Sequence, residues 1–456
     1  MFAALTESKA LSGKKRRSIR FRFATRRGDL GADQEMTRRS PTQKPRQGLF
    51  AALDVGTSKV CCLIARTGSD GRTKIEGIGH QSAMGMRLGA VVDMEQADRA
   101  IRAAVEAAEQ MAGETITDVV VNISCGKPKS RLIAYEISIS GHQIDEADIR
   151  KILDPTGYAN EVPQGRELLH TVPVGYSIDG NRGVPDPIGM WGERLGVNVH
   201  LVTTESGPLR NLEATVRGCR LDISDSVVTP LASAQACLVE DERKLGATMI
   251  DMGAGTTSIA CFFDGELIHT DVAPVGGSHI TGDIARGLST PLHHAERMKT
   301  LYGHAVPSLS DDQAVLEVPL IGEDQSSDAN QVPRSMLVGI IRPRIEETFE
   351  LVKKRLAEAR FDRISGPRVV LTGGASQLPG IADVAARILG KQVRIARPRP
   401  IAGLADSVSG PAFACAVGLL QHAIYTPQDA PQRALHTKNE PNGRIGRIGQ
   451  WFREHF

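Results

Sequence analysis

Hydrophobic and polar positions alternate in blocks that predict a mixed α/β body. Residues 49–55 and 59–65 are two apolar runs joined by Gly56-Thr57-Ser58, which predicts a hairpin. Ala97, Ile101, Ala104, Val105, Ala108 and Met111 recur at helical spacing, so a helix is expected over 94–111, ended by Gly113. A short apolar strand follows at 118–124. From 127 to 202 the pattern changes to short β-like runs broken by glycines and Pro163, Pro173, Pro185 and Pro187, which predicts an inserted subdomain. Helices are expected at 208–218 and 230–239, and a strand at 247–252 opens a second hairpin. Residues 305–333 read as loop, 335–360 as a long charged helix, and 368–372 as a buried strand.

The last thirty residues have a different texture. Residues 426–443 hold Pro427, Pro431 and Pro441 among polar residues, as in a linker; a flexible coil of 18 residues would reach roughly 23 Å. On a helical wheel of 444–456, Ile445, Ile448, Trp451, Phe452 and Phe456 form one stripe. Arg444, Arg447 and Arg453 supply basic charge beside that stripe, which suits a helix lying in an anionic membrane surface. The alternative is a helix docked on its own domain, against which the polar linker argues.

Composition is that of an ordinary folded chain, with 41% apolar and 24% charged residues. No run is apolar and long enough to span a bilayer, and the basic start lacks the apolar core of a signal peptide. Seven scattered cysteines without a Cys-x-x-Cys pair argue against disulfides and metal sites and fit a reducing cytoplasm. The net charge of +2 conceals an asymmetry: residues 1–46 carry 13 Lys/Arg and four Asp/Glu, or +9, leaving −7 for the rest. This arm, with Lys14-Lys15-Arg16-Arg17, Arg20, Arg22, Arg26 and Arg27, reads as a solvated tail or as a contact for anionic lipid or nucleic acid.

The candidate chemistry lies in two similar segments, Leu53-Asp54-Val55-Gly56-Thr57-Ser58-Lys59 and Ile250-Asp251-Met252-Gly253-Ala254-Gly255-Thr256-Thr257. Each is an apolar strand ending in Asp and followed by a Gly/Thr turn. Successive N–H groups in such a turn, with Ser and Thr hydroxyls, form an anion site. A carboxylate beside a phosphate needs a cation between them, so Asp54 and Asp251 imply Mg²⁺ held through water. One such turn is usually only a turn; two, 197 residues apart, imply duplicated halves gripping a polyphosphate. Thr372-Gly373-Gly374-Ala375-Ser376 adds a double glycine after a buried strand, where no side chain would obstruct a nucleoside.

These three elements resemble the actin, Hsp70 and sugar-kinase superfamily. The resemblance implies a two-lobed α/β actin-like fold made of duplicated ribonuclease-H-like domains. It also implies an ATP site in which Asp54, Gly56, Thr57, Ser58 and Lys59 face Gly253, Gly255, Thr256 and Thr257. Gly276, Gly277, Gly373, Gly374 and Ala375, with Glu296 and Lys299 of Ala295-Glu296-x-x-Lys299, would contact the nucleoside side; a surface ion pair is the alternative for Glu296 and Lys299.

Within the superfamily, residues 48–456 resemble the FtsA family of bacterial cell-division proteins. Gly85-Met86 with Gly89, Val92 and Asp93 carries this, as do His170-x2-Pro173-x2-Tyr176-x2-Asp179 and Pro187-x-Gly189-x2-Gly192-x-Arg194-Leu195 with His200. Glu240-Asp241-Glu242-Arg243-x-Leu245-Gly246 completes the set. The basic arm and Met190-Trp191 depart from the family pattern. His170 and His200 are read as structural rather than metal-binding.

The family implies a first lobe of 48–126, 203–245 and 395–425, an FtsA-type insert at 127–202, and a second lobe of 246–277 and 346–394. It further implies a partner-binding part at 278–345, beyond the arm at 1–47, with the linker and terminal helix closing the chain. The expected role is to tie the tubulin-like FtsZ, through its C-terminal tail, to the cytoplasmic face of the inner membrane, to self-associate into filaments and to recruit later division proteins. Nucleic acid is not an expected partner. Spacing identifies no residue that would orient water for ATP hydrolysis, so catalysis is left unassigned. The alternatives are a pilus-assembly ATP-binding protein of similar fold and a sugar- or acetate-type kinase. An Hsp70-like chaperone is excluded because only 84 residues follow Thr372.

Overall fold

The computed structural model describes residues 45–322, 330–361 and 364–426. The basic arm and the 444–456 stripe, including Arg444, Ile445, Arg447, Ile448, Trp451, Phe452, Arg453 and Phe456, therefore lie outside the described residues.

Two sheets repeat one topology. In the first, Gly48–Val55, Lys59–Thr67 and Thr73–Ser82 form an antiparallel meander, and Asp118–Ile123 and Asp222–Val228 add in parallel on the other side of the first strand. In the second, Ala247–Met252, Thr257–Phe263 and Glu266–Ala273 form the meander, and Arg368–Thr372 and Gln392–Ile395 add in parallel. The central strands are buried on both faces, which is why they read as unbroken apolar runs. This is the two-lobed actin-like architecture. Helices Thr229–Cys237 and Ala414–Tyr425 pack together in a core shared with residues of both sheets, among them Ala52, Leu63, Met249 and Val370.

Local signals set the elements around this frame. Helix Met94–Ala112 starts where the Asp93 carboxylate accepts the Gln96 N–H (3.0 Å) and stops at Gly113, whose N–H donates to the Glu109 carbonyl. Its buried stripe ends at Ala108; Met111, assigned to that stripe by spacing, is exposed. Residues 305–333, expected as loop, contain a small hairpin of Val315–Val318 and Asn330–Pro333. Its four-residue strands are too short to show a period in the sequence.

The insert contributes strands Lys129–Ser138, Arg166–Ile178, Asn181–Val184 and Arg194–Glu205 and helix Glu146–Ile152, with a core including Ile139, Ile152, Tyr158 and Leu195. It leaves the chain of the first lobe, yet its sheet continues that of the second: Lys129 pairs with Asp271, making nine strands in all.

Candidate functional site

The two predicted hairpins are the same turn. The Gly56 N–H donates to the Lys59 carbonyl at 2.9 Å, and the Gly253 N–H donates to the Thr256 carbonyl at 2.9 Å. Both open on one cleft of about 500 Å³, within the 300–1,000 Å³ of ordinary ligand pockets. Asp54, Gly56, Thr57, Ser58 and Lys59 line it from the first lobe. Asp251, Gly253, Thr256, Gly277, Gly373, Gly374, Ala375, Glu296 and Lys299 line it from the second.

Three of the expected residues do not line the cleft. Thr257 is fully buried, and its hydroxyl donates to the Val275 carbonyl (2.8 Å). Gly276 packs on the second turn itself, where an added Cβ would fall 2.5 Å from the Gly253 carbonyl oxygen. Gly255 lies where the lobes meet; a Cβ there would fall 2.5 Å from Thr57 Oγ1 and 3.0 Å from the Leu88 Cα. A glycine is needed at 255 for this close approach.

Asp54 and Asp251 end the two central strands and are both buried. Burial pushes the Asp54 carboxyl up, against the pull of Lys59 and Cys415. Burial likewise pushes Asp251 up to about 6; the hydroxyl of Ser233, which donates to its carboxylate, and Lys59 pull it down, while the Asp54 charge pushes it up. Two carboxylates held in one dry cleft at this cost fit a site that receives a cation. Among the described residues no cluster of three or more His, Cys, Asp or Glu could hold a metal by itself, so a cation here would take most of its ligands from water and phosphate, as Mg²⁺ does.

Lys59 reaches across the cleft, donating to the Ala412 carbonyl with its Nζ 3.6 Å from the centroid of the Phe413 ring. On the far wall, Lys299 Nζ donates to Glu296 (2.6 Å), Thr281 Oγ1 (2.9 Å) and the Gly277 carbonyl (3.2 Å). Glu296 and Lys299 thus form the ion pair that their spacing allows, and they form it on the cleft wall. Gly373 (φ 87°, ψ 164°) occupies a conformation open only to glycine, and a Cβ on it would fall 2.3 Å from Asp251 Oδ1.

Several cleft residues carry no sequence motif. Asn122 accepts the Val55 N–H (2.7 Å) and donates to Thr229 (3.3 Å), tying three lining segments together. Its signal is a polar residue in the apolar run Val119-Val120-Val121-Asn122-Ile123. Ser278, Gln377 and Cys415 also line the cleft and have no such signal.

The comparisons with known proteins agree with this architecture. A family model described as "SHS2 domain inserted in FTSA" matches residues 126–203, and one described as "Cell division protein FtsA" matches 248–418. A "Cell division protein FtsA" of Agrobacterium fabrum is 42% identical over 434 residues, covering 92% of this chain and 98% of that one. The chain belongs to the FtsA family. The FtsA of Pseudomonas aeruginosa is 33% identical over 413 residues, covering 90% of this chain and 98% of its own. Among solved structures, a chain of the "PilM-PilN type IV pilus biogenesis complex" superposes with a TM-score of 0.59 at 17% identity, covering 83% of this chain and 99% of that one, which is a likeness of fold alone. Membership in the FtsA family removes the sugar- or acetate-kinase alternative, and the inserted SHS2 domain occupies the four-stranded insert described above.

Proposed function

We propose that this FtsA family member is an ATP-binding, filament-forming adaptor of cell division, which holds the C-terminal tail of FtsZ and rests on the cytoplasmic face of the inner membrane. The observation that carries the nucleotide half is the pair of identical Asp-x-Gly turns, one from each lobe, opening on a single cleft beside the Gly373-Gly374 element. Gly56, Thr57, Ser58, Gly253 and Thr256 are placed to receive β- and γ-phosphates through amides and hydroxyls. Asp54 and Asp251 would orient the water shell of Mg²⁺, and Lys59 would exchange its contact with Ala412 for phosphate. Glu296 and Lys299 would face the ribose and base. Mg-ATP would supply charge that both lobes bind, stabilising the closed arrangement by mass action.

The membrane half rests on the sequence stripe Ile445, Ile448, Trp451, Phe452 and Phe456 and its arginines, since among the described residues no helix is long and apolar enough to cross a bilayer. One short helix binds weakly, and many copies on a filament bind strongly, so anchoring and self-association belong together. Residues 278–345 are the proposed FtsZ-tail site, the insert a self-association surface, and later division proteins the further partners. The test is co-sedimentation with liposomes of the intact chain against one ending at Asn442, with and without FtsZ. FtsZ should pellet with liposomes only beside the intact chain; equal pelleting of the two chains refutes the anchor.

A further inference from the structure

Both ends of the described body leave it at one point. The Arg46 N–H donates to the Ile424 carbonyl (3.0 Å), and its guanidinium donates to the carbonyls of Ala423 (3.1 Å) and Thr426 (3.4 Å). These are the last carbonyls of helix Ala414–Tyr425, where a cation offsets the negative end of the helix dipole. The same guanidinium lies 5.1 Å from the centroid of Phe50, on the first strand. Chain arriving from residue 44 and chain departing at 427 are therefore fastened side by side.

The sequences beyond these exits match in plan. Residues 28–44 and 427–443 are each 17 long. Beyond the first lies 14–27, with eight Lys/Arg, no Asp/Glu, and the alternation Arg20-Phe21-Arg22-Phe23. Beyond the second lies the basic, aromatic stripe of 444–456. Seventeen residues span at most roughly 60 Å in any conformation, so both segments are confined to the neighbourhood of one exit. Charge supplies the need. Residues 1–46 carry +9 and 444–456 carry three Arg and one Glu, or +2, so residues 47–443 carry 2 − 9 − 2 = −9. An anionic membrane repels such a body, a short +2 helix compensates little of it, and stable attachment generally takes two signals.

We propose that residues 14–27 are a second membrane contact, binding anionic phospholipid headgroups on the same patch as 444–456. This rests on the membrane reading given above. The arm's basic residues interleaved with phenylalanine would also suit nucleic acid, but its root beside residue 426 places it over lipid whenever the terminal stripe is on lipid.

The test compares the full chain, a full chain with all eight Lys/Arg of 14–27 changed to Gln, and a chain ending at Asn442. Each is sedimented with vesicles of phosphatidylcholine alone and with about one-third phosphatidylglycerol, at roughly 0.05 M and 0.5 M salt, where screening differs most. The neutralised chain should lose at least tenfold in partition to anionic vesicles at low salt, about 1.4 kcal/mol. It should match the full chain on phosphatidylcholine, depend less on salt, and keep the same melting temperature. Equal partition of the full and neutralised chains on anionic vesicles overturns the arm contact and leaves the helix reading intact. Loss of binding in the chain ending at Asn442, with none in the neutralised chain, does the same. A neutralised chain that loses binding to a DNA duplex but keeps its vesicle partition identifies nucleic acid as the partner and also overturns it.

Discussion

His200 offers a test of how the insert is held. It lies on strand Arg194–Glu205 opposite Val172, is fully buried, and has no hydrogen-bond partner on either ring nitrogen among the described residues. Burial, with smaller contributions from His269 and His170, pushes its pKa down from 6.5 to about 3. The folded protein therefore keeps the ring neutral, whereas the unfolded chain protonates it below pH 6.5. Stability from this residue is complete above 6.5 and is lost as the pH falls toward 3. Between pH 7 and pH 5 the linkage amounts to about 2 kcal/mol. Replacing the ring by leucine removes the proton site and keeps an apolar side chain in the space. Urea unfolding of both proteins at pH 7, 6 and 5 should show the stability difference, wild type minus His200→Leu, falling by about 2 kcal/mol. Groups common to both proteins cancel in that difference; Asp251, raised by burial, titrates there with the opposite sign. Parallel pH curves would refute a neutral, buried His200.

Two substitutions separate the cleft's architecture from its chemistry. Gly373→Ala forces a glycine-only conformation and drives a methyl toward Asp251 Oδ1, so it should cost about 1–3 kcal/mol of stability in thermal or urea unfolding and abolish Mg-ATP binding measured by calorimetry. Gly374→Ala meets nothing closer than Ala412 Cβ at 3.8 Å, so it should leave the melting temperature unchanged while lowering nucleotide affinity. Asp251→Asn removes a buried charge: the ligand-free protein should be as stable at pH 7 as wild type or more so, and ATP binding should lose its dependence on Mg²⁺, checked by titration with and without chelator. Unchanged Mg²⁺ dependence would remove Asp251 from the cation site.

The parts of this structure legible in the sequence are those that local physics specifies. The hairpins announce themselves because an apolar strand ending in Asp and a glycine turn must be adjacent in the chain, and helix Met94–Ala112 carries its own cap, stripe and stop. Helix Ala414–Tyr425 was not legible: ten of its twelve residues are buried, so there is no polar face and no period. Cys415 and Thr229 reach the cleft only because helices Ala414–Tyr425 and Thr229–Cys237 pack together between the sheets, a contact between segments 186 residues apart. Thr257 illustrates the converse. It stands beside Thr256 in a Thr-Thr pair, but strand alternation sends one hydroxyl to the cleft and the other into the core.

The chain path also makes the insert a bridge between the two walls of the cleft. Asn122 and Ser124 line the cleft, and the next residues carry the chain out of the first lobe. There the Thr204 hydroxyl donates to the Cys125 carbonyl (2.8 Å), and the Glu205 N–H donates to the Gly126 carbonyl (2.9 Å). On its other side the insert joins the second lobe, where Ser130 Oγ donates to the Thr270 carbonyl (2.9 Å) and accepts the Thr270 N–H (2.8 Å). Thr270 lies on the outer strand of the meander that begins with Asp251. A rotation of one lobe against the other must strain one of these two links. The Ser130 link is the weaker, since it consists of a single register pair and two hydroxyl hydrogen bonds of about 1 kcal/mol each. Opening should therefore appear first as exchange of the Thr270 amide, and Mg-ATP should slow that exchange while leaving the Glu205 amide nearly unchanged. Ser130→Ala should speed exchange at Thr270 and weaken its response to nucleotide. Hydrogen exchange that responds equally at both links would mean that the insert moves with neither lobe in particular.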